Sequence, residues 1–192
     1  MRLILASQSP RRKEILSSLG FEYEVCPADI DESIPEDTES VYVPEILSRE
    51  KALAVLKDNP DAVVIGSDTV VICEGQILGK PGSEEEAKAM LTLLSGRKHT
   101  VATGLCVCSR EKTRSLVSLT DVYFHELSRS LIDSYVATGE PMDKAGAYGI
   151  QGVGSALVRK IDGDYFTVMG LPAAQTARLL SEFGINGKFL IF

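Results

Sequence analysis

The stretch from residue 99 to residue 127 most constrains the fold, because its residue pattern is strand-like throughout. Residues 113–124 form its longest continuous segment. Long strands in the middle of a chain whose other strands and helices alternate irregularly favour a mixed sheet over a regular series of parallel βαβ units. The sequence therefore predicts an α/β (mixed α+β) fold in which helices flank a mixed sheet.

Helix and strand signals also lie on both sides of this stretch. The predicted helices are residues 10–19, 38–57, 83–96, 128–138 and 172–183, and the other predicted strands are residues 2–6, 21–27, 62–66, 69–73, 156–161 and 166–169. Pro44 falls inside the second helix, so it should either kink that helix or mark its true start. Ser83 and Glu86 have the spacing of a capping box, which opens the third helix.

Composition narrows the function classes. A chain of 192 residues with 44% hydrophobic residues can form a real core as one domain or two small lobes. Its net charge of -7 disfavours broad binding to a nucleic acid polymer, although a local cluster of cations could still bind a small polyanion. No apolar run approaches ~18 residues, so we expect no membrane association. Four cysteines in apolar segments indicate reduced core thiols and a cytoplasmic location.

Two glycine-containing segments resemble nucleotide-binding motifs without matching them. The first, "GQILGKP" (75–81), has too short a glycine spacing for a P-loop and carries Pro81 where a Ser or Thr should bind magnesium. The second, "GAYGIQG" (146–152), spaces its glycines in threes and follows no clear strand, which excludes the dinucleotide fingerprint. It is either a tight loop that needs positive φ angles or a segment that approaches a ligand closely.

Adjacent arginines stand at the start of the first predicted helix. Pro10 suits a first helical turn, and Arg11 and Arg12 follow it directly. Cations at this end oppose the helix dipole, whereas the free backbone N–H groups there attract anions. The arrangement favours a bound phosphate, held by backbone amides and guanidinium groups together. Two solvated surface arginines are the alternative.

Asp68 indicates a functional site more strongly than the two arginines, because it separates two strongly apolar, β-branched runs. A carboxylate in such surroundings needs a metal, a lysine or a water as partner, unless it is a satisfied turn aspartate. Lys80 follows an apolar stretch, and Lys51 lies on the long helix, where a solvated position is the ordinary expectation. With the acidic loop around Glu32, these residues predict a magnesium–phosphate site.

Several motifs together identify a family resemblance. They are "LASQSPRRKEIL", "SREKA", "IGSDTVV", "LGKP", "LSGRKHTVATG", "DKAGAYGIQG" and "DGDYFTVMGLP". They resemble motifs of the Maf family of nucleoside triphosphate pyrophosphatases, from near the first residue to about residue 183. The resemblance implies one domain over residues 1–192, with a fold like that of inosine triphosphate pyrophosphatases. This is an elongated, twisted mixed sheet flanked by helices, with a central cleft between two lobes.

The resemblance also implies an activity: hydrolysis of a nucleoside triphosphate to the monophosphate and pyrophosphate by a homodimer. The reaction would use a divalent metal cation, Mg²⁺ first and Mn²⁺ or Co²⁺ as alternatives. Asp68 would be the catalytic carboxylate and proton acceptor, and would hold the metal together with Glu32. The residues that match phosphate-side motifs are Ser7, Arg12, Lys51 and Lys80.

Arg11, Thr69 and Gln151 match the positions that mark the branch of the family preferring dTTP and UTP. Modified pyrimidine triphosphates such as pseudo-UTP or 5-methyl-UTP are further expected substrates. One alternative is a pyrophosphatase for 7-methyl-GTP or another non-standard nucleotide. Another is a nucleotide-binding regulator of cell division with little turnover. The C-terminal residues 186–192 match nothing in the family and receive no function.

Overall fold

The computed structural model describes residues 1–35 and 37–188. Its strands are β1 (Arg2–Leu5), β2 (Glu24–Val25), β3 (Ala62–Cys73), β4 (Gln76–Leu78), β5 (Lys98–Cys108), β6 (Thr113–Phe124) and β7 (Val158–Asp162). They form one sheet in the order β2–β1–β3–β5–β6–β7, and β4 pairs separately with β3. The strand β1 runs parallel to β2 and β3, whereas the other pairs are antiparallel. The predicted mixed sheet is thus confirmed.

Helices lie against both faces of the sheet. They are α1 (Pro10–Ser18), α2 (Val43–Asp58), α3 (Glu84–Leu94), α4 (Arg129–Val136), α5 (Tyr165–Met169) and α6 (Ala173–Ser181), with 3₁₀ segments at Glu140–Asp143, Ala145–Ala147 and Gly152–Leu157. Pro44 lies in the first turn of α2 and marks its start. The Ser83 hydroxyl accepts from the Glu86 amide at 3.1 Å, and the Glu86 carboxylate accepts from the Gly82 amide at 2.7 Å.

The predicted break between two strands at Ser67 and Asp68 is wrong. The strand β3 is continuous, and β5 pairs with it from Val64 to Ile72. The Ser67 hydroxyl contacts the carbonyl oxygens of Gly104 and Gly170, both at 2.9 Å, and Asp68 forms an ion pair. Because Ser67 is hydrogen-bonded and the charge of Asp68 is paired with Lys51, the strand continues through both residues, and Asp68 lies in its middle.

The strand predicted over residues 166–169 is also wrong, since this segment is the helix α5. The Asp164 carboxylate accepts hydrogen bonds from both the amide and the hydroxyl of Thr167, each at 2.8 Å. Gly170, with a φ of 103°, ends the helix in the left-handed region. Capping at both ends thus overrides a β-branched pattern that is too short to decide the structure.

The alternation of apolar residues along β3 assigns its two faces. Val63 and Ile65 pack against α1, α5 and α6, and on the same face Val71 and Cys73 pack against α3 and α4. The opposite face carries Val64, which packs against α2. The first face therefore holds two separate apolar clusters, one at each end of β3.

One edge of β3 is open at its centre. On that edge β1 pairs with Ala62–Ile65 and β4 pairs with Val71–Cys73, while β5 occupies the other edge. Among the residues that the structure describes, no strand covers positions 66–70 on this open edge. Side chains from both faces of β3 can therefore reach the space beside it, Asp68 from one face and Thr69 from the other.

The helix α2 lies unusually close to the sheet. A Cβ atom on Gly66 would lie 2.0 Å from the Ser48 carbonyl oxygen, and one on Gly104 would lie 1.9 Å from the Pro44 carbonyl oxygen. Neither glycine has a positive φ, so both are required for space rather than for conformation. This close approach places Lys51, one turn after Ser48, over β3.

The four cysteines are free thiols. Cys73, Cys106 and Cys108 are buried as expected, whereas Cys26 lies in the loop after β2 and is only half-buried. No helix within residues 1–35 and 37–188 is long and apolar enough to cross a membrane.

Replacing Gly104 by Ala should lower the free energy of unfolding by at least about 2 kcal/mol, because the new methyl group overlaps the backbone of α2. Gly79→Ala is the matched control, since a Cβ there meets no atom of the described residues within 4 Å and φ is not positive. Urea unfolding of the two variants measures the difference. Equal stability of the two proteins would contradict the close packing of α2.

Candidate active site

A cavity of about 1090 Å³ lies beside the open edge of β3. Its walls come from the loop between β1 and α1, from α2 and β3, from the turn after β4 and from the segment around the 3₁₀ helices. The sequence-predicted site residues that line it are Ser7, Arg11, Arg12, Glu32, Lys51, Asp68, Thr69, Lys80 and Gln151. Residues far apart in the chain are thus brought into one cleft.

Lys51 joins two carboxylates at the floor of the cleft. Its Nζ lies 2.6 Å from Oδ1 of Asp68 and 2.7 Å from Oε1 of Glu32. The side chains of Lys51 and Asp68 are only 15% and 14% exposed, so solvent screens this pair weakly. Oδ2 of Asp68 has no hydrogen-bond partner within the described residues, and one N–H of Lys51 is likewise unused. Both atoms are available to a ligand.

Arg12 turns back from α1 towards the open edge of β3. Its Nε donates to the Gly170 carbonyl at 2.8 Å, and its terminal nitrogens contact the hydroxyls of Ser7 at 3.0 Å and Thr69 at 3.3 Å. Burial lowers the pKa of Arg12 and the charge of Asp68 opposes this, so the guanidinium stays charged at neutral pH. The alternative of a solvated surface side chain is therefore wrong for Arg12.

Two further cations lie at the rim. Arg11 faces Asp143 across the cleft at 3.7 Å. Lys80 is exposed and has no ion-pair or hydrogen-bond partner in the part of the chain that the structure describes. The first turn of α1 contains no acidic residue, and Ser9 makes no side-chain capping bond there. This side of the cleft is thus strongly suited to an anion.

The direction of the hydrogen bonds at Thr69 can be assigned. The Thr103 hydroxyl lies 2.7 Å from the Thr167 carbonyl oxygen, which can only accept. Its single proton is therefore used, and the 3.0 Å contact between Thr103 and Thr69 must have Thr69 as donor. The Thr69 hydroxyl consequently presents only lone pairs to Arg12 and to the cleft.

The glycine-rich segment forms the opposite wall. Gly146 and Gly152 have φ angles of 68° and 65°, so the segment is a tight loop that needs positive φ. The segment also lines the cleft, and its close approach to a ligand stays a prediction. Gln151 is half-buried, and its side-chain amide makes no hydrogen bond within residues 1–35 and 37–188.

The donor set fits a divalent cation that binds together with a substrate. No group of three His, Cys, Asp or Glu residues suited to a metal occurs among the described residues. Two carboxylates, Asp68 and Glu32, approach the same ammonium group, so their charges lie close together. Magnesium commonly binds through one or two carboxylates plus substrate phosphates, and this site offers that arrangement.

Comparison with known proteins assigns the family. The family model described as Maf-like protein matches residues 2–183. The chain belongs to this family. A Bacillus velezensis protein named dTTP/UTP pyrophosphatase is 50% identical over 96% of this chain and 98% of its own length. An Aquifex aeolicus protein of the same name is 49% identical over 96% of this chain and 97% of its own length. Among solved structures, that of a HAM1 protein from Coxiella burnetii aligns with a TM-score of 0.48 at 15% sequence identity. The alignment covers 95% of this chain and 99% of the HAM1 chain.

Several residues that line the cleft of this Maf-like chain have no role predicted from the sequence. They are Glu140, Asp143, Lys144 and Tyr148. The last three lie inside the quoted motif "DKAGAYGIQG", which was the available signal. Glu140 lies before that motif, and its carboxylate accepts from Tyr135, Val153 and Gly154. None of these is an adjacent residue, so no local pattern indicates its role.

A buried histidine behind the cleft wall gives a pH prediction. Nε2 of His99 lies 2.8 Å from the Tyr148 hydroxyl, the residue is 2% exposed, and Nδ1 has no hydrogen-bond partner among the described residues. Burial lowers the pKa of His99 from 6.5 to about 4, although the charge of Asp121 acts in the opposite direction. Between these values the unfolded chain binds a proton that the folded chain does not, so stability falls as the pH falls.

We therefore expect wild type to lose about 2 kcal/mol more unfolding free energy than His99→Gln between pH 7 and pH 4.5. Urea titrations of both proteins at each pH measure this difference. Carboxylates titrate in both proteins and cancel in the comparison. Parallel stability curves for the two proteins would contradict the buried, neutral state of His99.

Proposed function

We propose that this chain is a nucleoside triphosphate pyrophosphatase that hydrolyses dTTP and UTP to the monophosphate and pyrophosphate. The observation that carries the proposal is the meeting of two pairs at one open strand edge, Asp68 with Lys51 and Thr69 with Arg12. Relatives that share about half of their residues with the chain over nearly its full length are named dTTP/UTP pyrophosphatases.

The cations of the cleft bind the triphosphate. Arg12 is held by its three acceptors in one orientation, so little side-chain entropy is lost when it contacts a phosphate. Lys51 offers its third N–H, and Lys80 reaches in from the rim without having to break a protein contact. Together they offset the charge that develops on the leaving pyrophosphate.

Asp68 orients and deprotonates the attacking water. Oδ1 is occupied by Lys51, which leaves Oδ2 to accept the water proton. The water oxygen then bonds to the α-phosphorus while the bond from that phosphorus to the bridging oxygen breaks. Pyrophosphate leaves with the bonding electron pair, and the monophosphate remains. No covalent intermediate is needed.

Glu32 and Asp68 would hold the divalent cation, Mg²⁺ or in its place Mn²⁺ or Co²⁺, together with the substrate phosphates. When bound, the cation neutralises charge on the phosphate oxygens. Lys51 then serves to keep the two carboxylates together.

Gln151 and Thr69 select the base. The imide edge of uracil or thymine has one N–H between two carbonyl groups. The amide of Gln151 can both donate and accept, and Thr69 can only accept. Pseudo-UTP and 5-methyl-UTP present the same edge and should also be substrates.

The homodimer and the cytoplasmic location remain predictions. Sedimentation of the purified chain would test the homodimer.

A panel of triphosphates assayed for pyrophosphate release with Mg²⁺ tests the proposed function. We expect dTTP and UTP to give the highest kcat/KM, above CTP, ATP, GTP and 7-methyl-GTP. Higher activity on 7-methyl-GTP would assign the other substrate branch. Binding of UTP without release of pyrophosphate from any member would favour a regulator.

Asp68→Asn should lower kcat for UTP by about 10²–10⁴-fold, because the amide cannot accept the water proton, while KM changes little. The matched control is Asp162→Asn at an exposed position on β7, which should leave kcat unchanged. Thermal unfolding checks that both variants fold. Wild-type turnover in Asp68→Asn would exclude Asp68 as the base.

Gln151→Ala should raise KM for dTTP and UTP by about tenfold and reduce the preference for these bases, with a smaller effect on kcat. Steady-state kinetics over the same panel measures both constants. A uniform loss of kcat across all bases would instead indicate that Gln151 supports the structure of the loop.

A further inference from the structure

The carboxylate of Glu140 is enclosed by hydrogen-bond donors from the loop that carries Gln151. Its Oε1 accepts from the Gly154 amide at 3.0 Å and from the Tyr135 hydroxyl at 2.9 Å, and its Oε2 accepts from the Val153 amide at 3.0 Å. The Tyr135 oxygen in turn accepts from the Gly149 amide at 3.1 Å. Both ends of the segment 149–154 are thereby fixed to one pair of side chains.

The glycines of this segment fit the same two side chains. A Cβ atom on Gly152 would lie 2.8 Å from Oε2 of Glu140. A Cβ atom on Gly154 would lie 2.5 Å from the Tyr135 hydroxyl and 3.0 Å from Oε1 of Glu140. Side chains at these positions would push the loop off the carboxylate. The loop can therefore bind Glu140 closely because residues 152 and 154 are glycines.

The ionisation states of Glu140 and Tyr135 favour these hydrogen bonds. Burial tends to raise the pKa of Glu140, but hydrogen bonds from Gly154, Tyr135 and Val153 outweigh it, and the pKa lies below its usual value. Burial raises the pKa of Tyr135, so its phenol keeps the proton that it donates. Glu140 is therefore an anion that accepts all three hydrogen bonds at neutral pH.

Gln151 lies between the fixed ends of this loop. Its amide has no hydrogen-bond partner in the described part of the chain, so the backbone of the loop sets the point from which the side chain enters the cleft. That backbone is held from both sides, at Gly149 and at Val153. The groups that hold these two backbone amides therefore set the position of the Gln151 backbone and the region that its side chain can reach.

We propose that Glu140, supported by Tyr135, is a positioning residue for base selection, which fixes the loop 149–154 so that Gln151 meets the pyrimidine edge. This inference rests on the proposed function. Glu140 itself acts through Gln151 and takes no part in the transfer of the phosphoryl group.

Glu140→Gln tests the proposal in the full-length chain, because the amide keeps the shape of the side chain but replaces one acceptor by a donor. We expect KM for UTP and dTTP to rise about tenfold with a smaller change in kcat. The decisive comparison is the double variant with Gln151→Ala. If Glu140 acts through Gln151, the double variant should be no worse than Gln151→Ala alone. Additive losses, or an equal fall in kcat for every base, would overturn the proposal.

Amide hydrogen exchange gives a second readout that needs no turnover. In ligand-free Glu140→Gln, the amides of Val153 and Gly154 should exchange about tenfold faster or more, whereas those of β3 should not change. Unchanged exchange at both amides would overturn the proposal. If the wild-type chain released no pyrophosphate at all, the proposed function would fail, and this readout would still decide the role of Glu140 in holding the loop.

Two further variants complete the design. Tyr135→Phe removes only the phenolic oxygen and should change KM and exchange in the same direction but less, so it replaces Glu140→Gln if that variant does not fold. Glu182→Gln is the matched control, because Glu182 is exposed and pairs with Lys112 on the surface. It should leave the kinetics and the exchange as in wild type.

Discussion

The close packing of α2 on the sheet is the constraint on which the site depends. The backbone of this helix occupies the space where side chains at Gly66 and Gly104 would lie. At this separation Lys51 contacts Asp68 at 2.6 Å. The pairing places a buried carboxylate next to its cation, and it leaves one carboxylate oxygen available for chemistry. The packing of α2 on the sheet therefore determines which charged groups meet at β3.

The open edge of β3 explains how neighbouring residues with opposite side-chain directions line one cleft. Along a strand, consecutive side chains point to opposite faces. In the centre of a fully paired sheet, Asp68 and Thr69 would be separated by the sheet itself. Because β1 ends its pairing at Ile65 and β4 begins at Val71, the cleft extends around the edge. The carboxylate–lysine pair and the arginine–threonine pair consequently meet there.

The sequence predicted the sheet and the starts of α1 and α3, because these depend on periodicity and on local capping. The charged residues of the cleft were indicated by their residue types and by the motifs of the family resemblance, and the fold brings them together. It failed where tertiary partners decide the structure. Ser67 and Asp68 look like a strand break until their partners on other elements are known. The helix α5 depends on the caps Asp164 and Gly170. The sequence does not reveal Glu140, because two of the three donors to its carboxylate are backbone amides, which carry no residue-type signal. The roles of the site residues remain predictions.

The central claim is that the cleft beside β3 binds a triphosphate with its α-phosphorus next to Asp68. A crystal structure of the full-length chain with Mg²⁺ and a non-hydrolysable α,β-imido UTP tests it most directly. We expect the phosphates between Arg12, Lys51 and Lys80, with the base towards Gln151. A nucleotide bound outside this cleft, or bound with its α-phosphorus away from Asp68, would contradict it.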